Sequence, residues 1–260
     1  MMKVDPITLS VVRGILETTQ REMTLSLEKT SRSSVLNLAR DYSTSLFNAT
    51  PEMILQGQDI PIHLGSLMPA MKAVANFFSG EIHEGDLILH NDPAYNGSHI
   101  LDMCIYKPVF FEGKHVFWTV CKGHLTDVGG PVPASYNPEA TEIFAEGLRV
   151  PPIKLWEKGK QRDDILNMIL TNMRARRNQE GDFKALIGAC QLGEKNLINL
   201  INKYGLEKVN LCIDELLSMA DKHMRTLIKQ IPNGEYTGTA TLEDAGHGLG
   251  DLDITANLTI

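Results

Sequence analysis

Apolar residues recur every three to four positions from Ile7 through Val11 and Ile15 to Leu25, directly after Asp5-Pro6. That spacing predicts an amphipathic helix reaching about Glu28 and covering one face of the core. The period drops to two over 41–47, where β-branched and aromatic residues predict a strand closed by a turn at Asn48-Ala49-Thr50-Pro51. The short, punctuated segment 58–66 feeds a second helix expected from about Leu67 to Phe78, so a helix start lies beside His63 and Ser66. Leu87–His90 reads as a strand, followed by a polar loop from Asn91 to Gly97. Ile105–Phe111 and Val116–Cys121, joined by Glu112-Gly113-Lys114, form a predicted β-hairpin. Residues 131–162 carry prolines and no clear period, and are expected to be a long ordered loop with short turns over the mouth of a site.

Helical periodicity returns from Asp163 to about Lys203 and again from Leu206 to Ile231, where Pro232-Asn233-Gly234 ends it. Two period-two segments, 236–242 and 252–260, then flank the glycine-rich turn Gly246–Gly250. Because a terminal strand with an open edge is a liability, more polypeptide or another chain is expected to complete that sheet. The whole reads as an α+β fold: a mixed sheet with a hairpin and flanking helices, followed by the start of a second β-rich region. Residues 1–231 are expected to form an α+β metal-binding catalytic domain, and 232–260 the beginning of a truncated β-rich domain.

Two near-copies of one pattern stand out against this background: His99-Ile100-Leu101-Asp102 and His124-Leu125-Thr126-Asp127. Asn96-Gly97-Ser98 precedes the first and Gly129-Gly130 follows the second, so backbone can approach closely. Imidazoles and carboxylates at this density suit a divalent-metal site that keeps an open coordination position. The far ends of a hairpin lie side by side, so its geometry should bring His99 and Asp102 to His124 and Asp127. An enzyme is the leading class.

Composition permits this without requiring it. A 260-residue chain with 43% hydrophobic and 22% charged residues can bury a sizeable core as a soluble globular protein. The net charge of −7 argues against nucleic acid or an anionic membrane as the main partner. No apolar run approaches the roughly 18 residues of a membrane span, and no signal-peptide core follows Met1-Met2-Lys3-Val4-Asp5-Pro6, so a cytoplasmic protein is expected. Cys104, Cys121, Cys190 and Cys212 lack CxxC spacing and sit in apolar patterns, as buried reduced thiols do. His83, His90, His115 and His223 read as hydrogen-bonded structural residues, His247 as a loop residue, Asp92 as turn chemistry before Pro93, and Arg174–Arg177 as a solvated or partner-facing helix face.

Asp41-Tyr42-Ser43 with Phe47, the run from Ile60 to Leu67, the run from His90 to Asp102, Gly123-His124-Leu125-Thr126-Asp127-Val128-Gly129-Gly130, and Glu180–Ala185 occur in this order across nearly the whole chain. Together they resemble the hydantoinase B/oxoprolinase family, which includes hydantoinase and oxoprolinase subunits, caprolactamase and the large subunits of acetone and acetophenone carboxylases. Members of that family usually continue well past residue 260, so a fragment is expected. The resemblance implies one subunit of an ATP-dependent enzyme. A hydantoinase A-type nucleotide-binding partner would bind ATP and phosphorylate the substrate oxygen, and this chain would carry out the second half-reaction. The absence of a Walker motif agrees with nucleotide binding elsewhere.

His99, Asp102 and His124 match the family's metal positions, and Asp41 is the candidate fourth ligand. Two imidazoles with carboxylates suit zinc, with manganese and iron as alternatives. Asp127 is placed to orient His124 or accept a proton from water, and His63 to bind phosphate or a developing oxyanion. The expected activity is metal-dependent, ATP-dependent hydrolysis of a small-molecule cyclic amide (lactam, hydantoin or oxoproline type) in a hetero-oligomer. The alternatives are a ketone carboxylase of the acetone or acetophenone type and a non-catalytic interaction subunit.

Overall fold

Asp5 opens helix α1 (Pro6–Thr30) by accepting from Thr8 N at 2.9 Å, and Pro6 sits where no N–H partner is needed. The structure, a computed structural model, describes residues 4–260, the Leu64 side chain excepted. The leader reading at Met1-Met2-Lys3 therefore falls partly outside it. After α1 come a short helix α2 (Ser34–Asn37), strands β1 (Tyr42–Asn48) and β2 (Met53–Gln56), and helix α3 (Pro61–Phe77). Strands β3 (Leu87–His90), β4 (Asp102–Phe111), β5 (Lys114–His124), β6 (Ile153–Glu157) and β7 (Lys160–Gln161) complete one sheet. Helices α4 (Asp163–Thr171), α5 (Arg176–Tyr204) and α6 (Leu206–Ile228) and the hairpin β8 (Glu235–Leu242) and β9 (Leu252–Thr259) follow.

The α+β class is borne out, but the sheet is not mixed. Its seven strands run in the order β2-β1-β5-β4-β3-β6-β7, and every pairing is antiparallel. Short reversals join β1 to β2, β3 to β4, β4 to β5 and β6 to β7, whereas the β1-β5 and β3-β6 pairings bring together segments distant in sequence. Helix α3 begins at Pro61, six residues earlier than its apolar period predicts, because proline is favoured at the first helical position. Strand β2 follows the expected turn in a stretch given no element by its pattern, and β6 lies within the expected loop 131–162.

The sheet buries both faces. Trp118 and Val120 of β5, Cys104 and Tyr106 of β4, Ile88 of β3 and Phe47 of β1 pack beneath Leu67, Ala70, Met71 and Val74 of α3. On the opposite face, Thr119 Oγ1 donates to Cys190 O of α5 at 3.0 Å. Gly193 of α5 allows the close approach there: a Cβ would lie 2.5 Å from Met23 Sδ of α1 and 2.8 Å from Thr119 Cγ2.

The chain divides into two compact units, Met1–Cys212 and Ile213–Ile260. In the second, β8 and β9 pair in register from Glu235↔Thr259 to Leu242↔Leu252. Alternation puts Tyr236, Ala240, Leu242, Leu252, Ile254 and Leu258 on one face of this hairpin and threonines with Asp253 and Asn257 on the other. All four cysteines are buried free thiols. Among the described residues, no helix is long and apolar enough to cross a membrane.

Candidate metal centre

The register of β4 and β5 sets Asp102 directly opposite His124. Both project on the α3 face, in phase with Tyr106, Cys104, Val120 and Trp118, but at the end of the strands where α3 begins. A turn closed by Asp102 N donating to His99 O at 3.0 Å folds His99 back over Asp102. The loop before it is held by Asn91, which donates to Ile100 O at 2.6 Å and Leu148 O at 2.9 Å, and accepts from Val150 N at 2.7 Å.

As a result, Asp102 Oδ1 lies 3.1 Å from His99 Nε2 and 3.2 Å from His124 Nδ1. One ligand atom from each of the three residues falls within 4.8 Å of the others, which makes His99, Asp102 and His124 a group able to hold a metal ion. The donor set fits: two imidazole nitrogens and a carboxylate oxygen are common ligands of zinc and related cations, and edges of about 3 Å are what ligands at about 2.1 Å from one ion require. Asp102 is almost completely buried. Burial would raise its pKa, but hydrogen bonds from His124, His63 and His99 outweigh it and keep the carboxyl well below the usual carboxylate range. The same bond raises the pKa of His99 against the effect of its own partial burial.

Asp41 and His63 stand beside this triad. His63 Nε2 is 3.4 Å from Asp41 Oδ1 and 3.4 Å from Asp102 Oδ2, and its Nδ1 is 3.3 Å from Ser43 Oγ. Asp41 Oδ2 lies 3.9 Å from His124 Nδ1, outside the close group of three. His63 was read as an anion binder at a helix start. It does sit in the first turn of α3, but its ring is buried between two carboxylates.

The structure does not bring Asp127 into the cluster. Its carboxylate accepts from Gly129 N, Ala134 N and Arg174 N at 3.0, 3.1 and 3.2 Å, and from Arg174 Nη1 at 2.8 Å, with no bond to His124. Strand β5 ends at His124, so Asp127 lies beyond the hairpin register, and Gly129, at φ +91°, presents its N–H to the Asp127 carboxylate. Asp127 is thus a loop anchor. Burial raises its pKa, while Arg174 and the backbone N–H groups lower it to below the ordinary value. A carboxyl depressed in the folded state contributes stability above its unfolded pKa of about 4, and that contribution is lost as pH falls through the lower folded value. Thermal melts across the acid range should therefore fall less steeply below about pH 4 in Asp127→Asn than in the wild type; equal slopes would refute the anchoring role.

The loop it anchors forms one wall of a cavity of about 390 Å³, lined by His99, Leu101 and His124 together with Ser135, Tyr136, Asn137, Pro138 and Glu146. The expectation of an ordered loop over the site mouth agrees with this arrangement. Lys122 escaped the sequence reading. Its side chain is 1% exposed, and Nζ donates to Ser66 Oγ at 2.6 Å and Ser98 Oγ at 2.8 Å. The available signal was a lysine in phase with Trp118, Val120 and His124 on an otherwise apolar strand face. His90 lies on the same face, bonded to Tyr106 Oη at 3.1 Å, with its pKa pushed down to about 4 by burial and by the charge of Lys122.

The sequence matches the Hydantoinase B/oxoprolinase family profile over residues 5–260. It is 68% identical over 260 residues to caprolactamase subunit beta of Pseudomonas jessenii, covering 100% of this chain and 45% of that one. The crystal structure of ATP-dependent caprolactamase from Pseudomonas jessenii superposes with a TM-score of 0.95 at 69% identity, covering 99% of this chain and 45% of that one. An acetone carboxylase structure superposes with a TM-score of 0.86 at 20% identity, over 97% of this chain and 35% of that one, a likeness of fold alone. The chain thus spans about half the length of the caprolactamase subunit it matches. With the whole described sheet and the donor triad inside the matched span, the chain belongs to the hydantoinase B/oxoprolinase family.

Proposed function

We propose that this chain is the metal-binding part of an ATP-dependent hydrolase of cyclic amides. The observation that carries the reading is the convergence of His99 Nε2, His124 Nδ1 and the buried Asp102 Oδ1 beside a cavity of about 390 Å³. High identity to a protein named caprolactamase subunit beta supports a lactam as the substrate class. In this reading a hydantoinase A-type partner binds ATP and phosphorylates the amide oxygen, and this chain directs water onto the activated ring carbon. The free thiols favour a cytoplasmic setting.

His99, Asp102 and His124 hold the ion, zinc first and manganese or iron next, with Asp41 as the fourth ligand. When bound, such an ion supplies Lewis acidity, polarising an oxygen of the substrate and lowering the pKa of water. His63 Nε2, equidistant from Asp41 Oδ1 and Asp102 Oδ2, keeps the two carboxylates in fixed relation. Tyr136, Pro138 and Leu101 form an apolar wall suited to a hydrocarbon ring, and Asp127 anchors the loop that carries Tyr136 and Pro138.

Metal analysis of the purified protein should find a stoichiometric divalent ion, and His99→Ala and His124→Ala should remove it. Partner-dependent ATP turnover on caprolactam should fall at least about 100-fold, since even residues behind a metal ligand cost 10- to 100-fold. Wild-type protein without metal, or variants with unchanged turnover, would overturn the reading. Bicarbonate-dependent turnover of a ketone would replace hydrolysis with carboxylation.

A further inference from the structure

We infer that Lys122 and Ser98 are positioning residues for the metal site: they hold Asp102 Oδ2 and leave Oδ1 as the single carboxylate oxygen offered to an ion. This deepens the metal reading above and rests on it.

An ammonium group can only donate hydrogen bonds, so a lysine that reaches two hydroxyls consumes a lone pair on each. Lys122 Nζ donates to Ser66 Oγ at 2.6 Å and to Ser98 Oγ at 2.8 Å. Each serine must then spend its one proton elsewhere. Ser66 Oγ donates to His63 O at 2.8 Å, and Ser98 Oγ donates to Asp102 Oδ2. Both hydroxyl rotors are fixed in direction by the lysine.

The charge matters as well as the direction. Lys122 Nζ stands 3.8 Å from Asp102 Oδ2, and both side chains are 1% exposed. A buried carboxylate needs a compensating cation, and Lys122 supplies one while leaving the hydrogen bond to Ser98. With Ser98 donating to Oδ2 and His63 Nε2 3.4 Å from it, the carboxylate plane is fixed, and Oδ1 faces the two imidazoles. A carboxylate free to rotate could bind an ion through both oxygens and fill the position a substrate needs. The clamp also joins three elements, since Lys122 lies on β5, Ser66 in the early turns of α3, and Ser98 in the loop preceding β4.

The test uses the full-length protein with its partner subunit, stripped of metal and titrated with Zn²⁺ against a chromogenic chelator. Co²⁺ is then loaded and its visible spectrum recorded. Ser98→Ala should weaken Zn²⁺ retention about 10- to 100-fold, because the carboxylate loses its fixed orientation, and alter the cobalt bands, because Asp102 gains a second way to bind. Ser98→Thr, which keeps the hydroxyl, should restore both readouts, and Lys122→Met should shift them in the same direction as Ser98→Ala. If Lys122→Met does not fold, Ser98→Ala decides, since it removes one oxygen from a loop. Wild type that binds Zn²⁺ alongside a Ser98→Ala protein of unchanged affinity and cobalt spectrum overturns this inference alone. Wild type that binds no metal overturns the metal reading and the inference together.

Discussion

Asp102→Asn should abolish metal retention and, in metal-free buffer, also lower stability. The first effect follows from losing the charge of the one residue that faces His99, His124, His63 and Lys122 at once. The loss of affinity should exceed the 10- to 100-fold typical of residues behind a ligand. The second follows because Lys122, 1% exposed, is left without its carboxylate. Removing one partner of a buried pair costs about 3–5 kcal/mol, or on the order of 10 °C in Tm for a domain of this size. Calorimetry with chelator present separates this from the stabilisation a bound ion confers. Adding Lys122→Met to Asp102→Asn should recover much of the lost stability and none of the metal binding. A double variant no more stable than the single one would mean that charge compensation is not what Lys122 provides.

Trp118→Ala should cause a loss of similar size by another route, with the site intact. Trp118 is fully buried among Phe47, Tyr106 and the apolar face of α3, and truncating an aromatic in such a place costs about 3–5 kcal/mol. Its Nε1 has no hydrogen-bond partner, so Trp118→Phe removes an orphaned donor while keeping most of the ring contacts. Denaturant melts should show the phenylalanine variant losing less than half of what the alanine variant loses. Six residues along β5 separate Trp118 from His124, about 20 Å at strand rise, so both variants should retain metal. Equal losses in the two would contradict the packing account.

Much of the molecule was legible because local rules and tertiary context agree. Asp5-Pro6 starts α1 as a capping residue and a proline should, and the loop at Glu112-Gly113 returns the chain as a hairpin that carries His99, Asp102 and His124 together. Lys122 was hidden because the alternation of β5 marks its position as interior, where a charge is not expected without a partner. Those partners, Ser66, Ser98 and Asp102, come from three other segments. Asp127 misled for a related reason. It repeats the spacing of Asp102 after a histidine, yet it follows the end of β5 instead of starting a strand, so its side chain faces Arg174 and not the hairpin partner. The early start of α3 matters most for His63, because a ring in the first turn of a helix laid over the sheet is aimed down into it.

The order in which these contacts can form differs between the two faces of the sheet. Asp102 and His124 are 22 residues apart, whereas the bonds from Arg32 N and Ser33 N to Asp182, which tie the end of α1 to α5, span 150 and 149. Loop-closure entropy grows with the logarithm of length, so the longer closure costs about 1.7 kcal/mol more before any contact rewards it. The donor triad therefore needs only a single zipped hairpin and the turn before it. His99, Asp102 and His124 can thus come together in a chain whose helical layer has not yet docked.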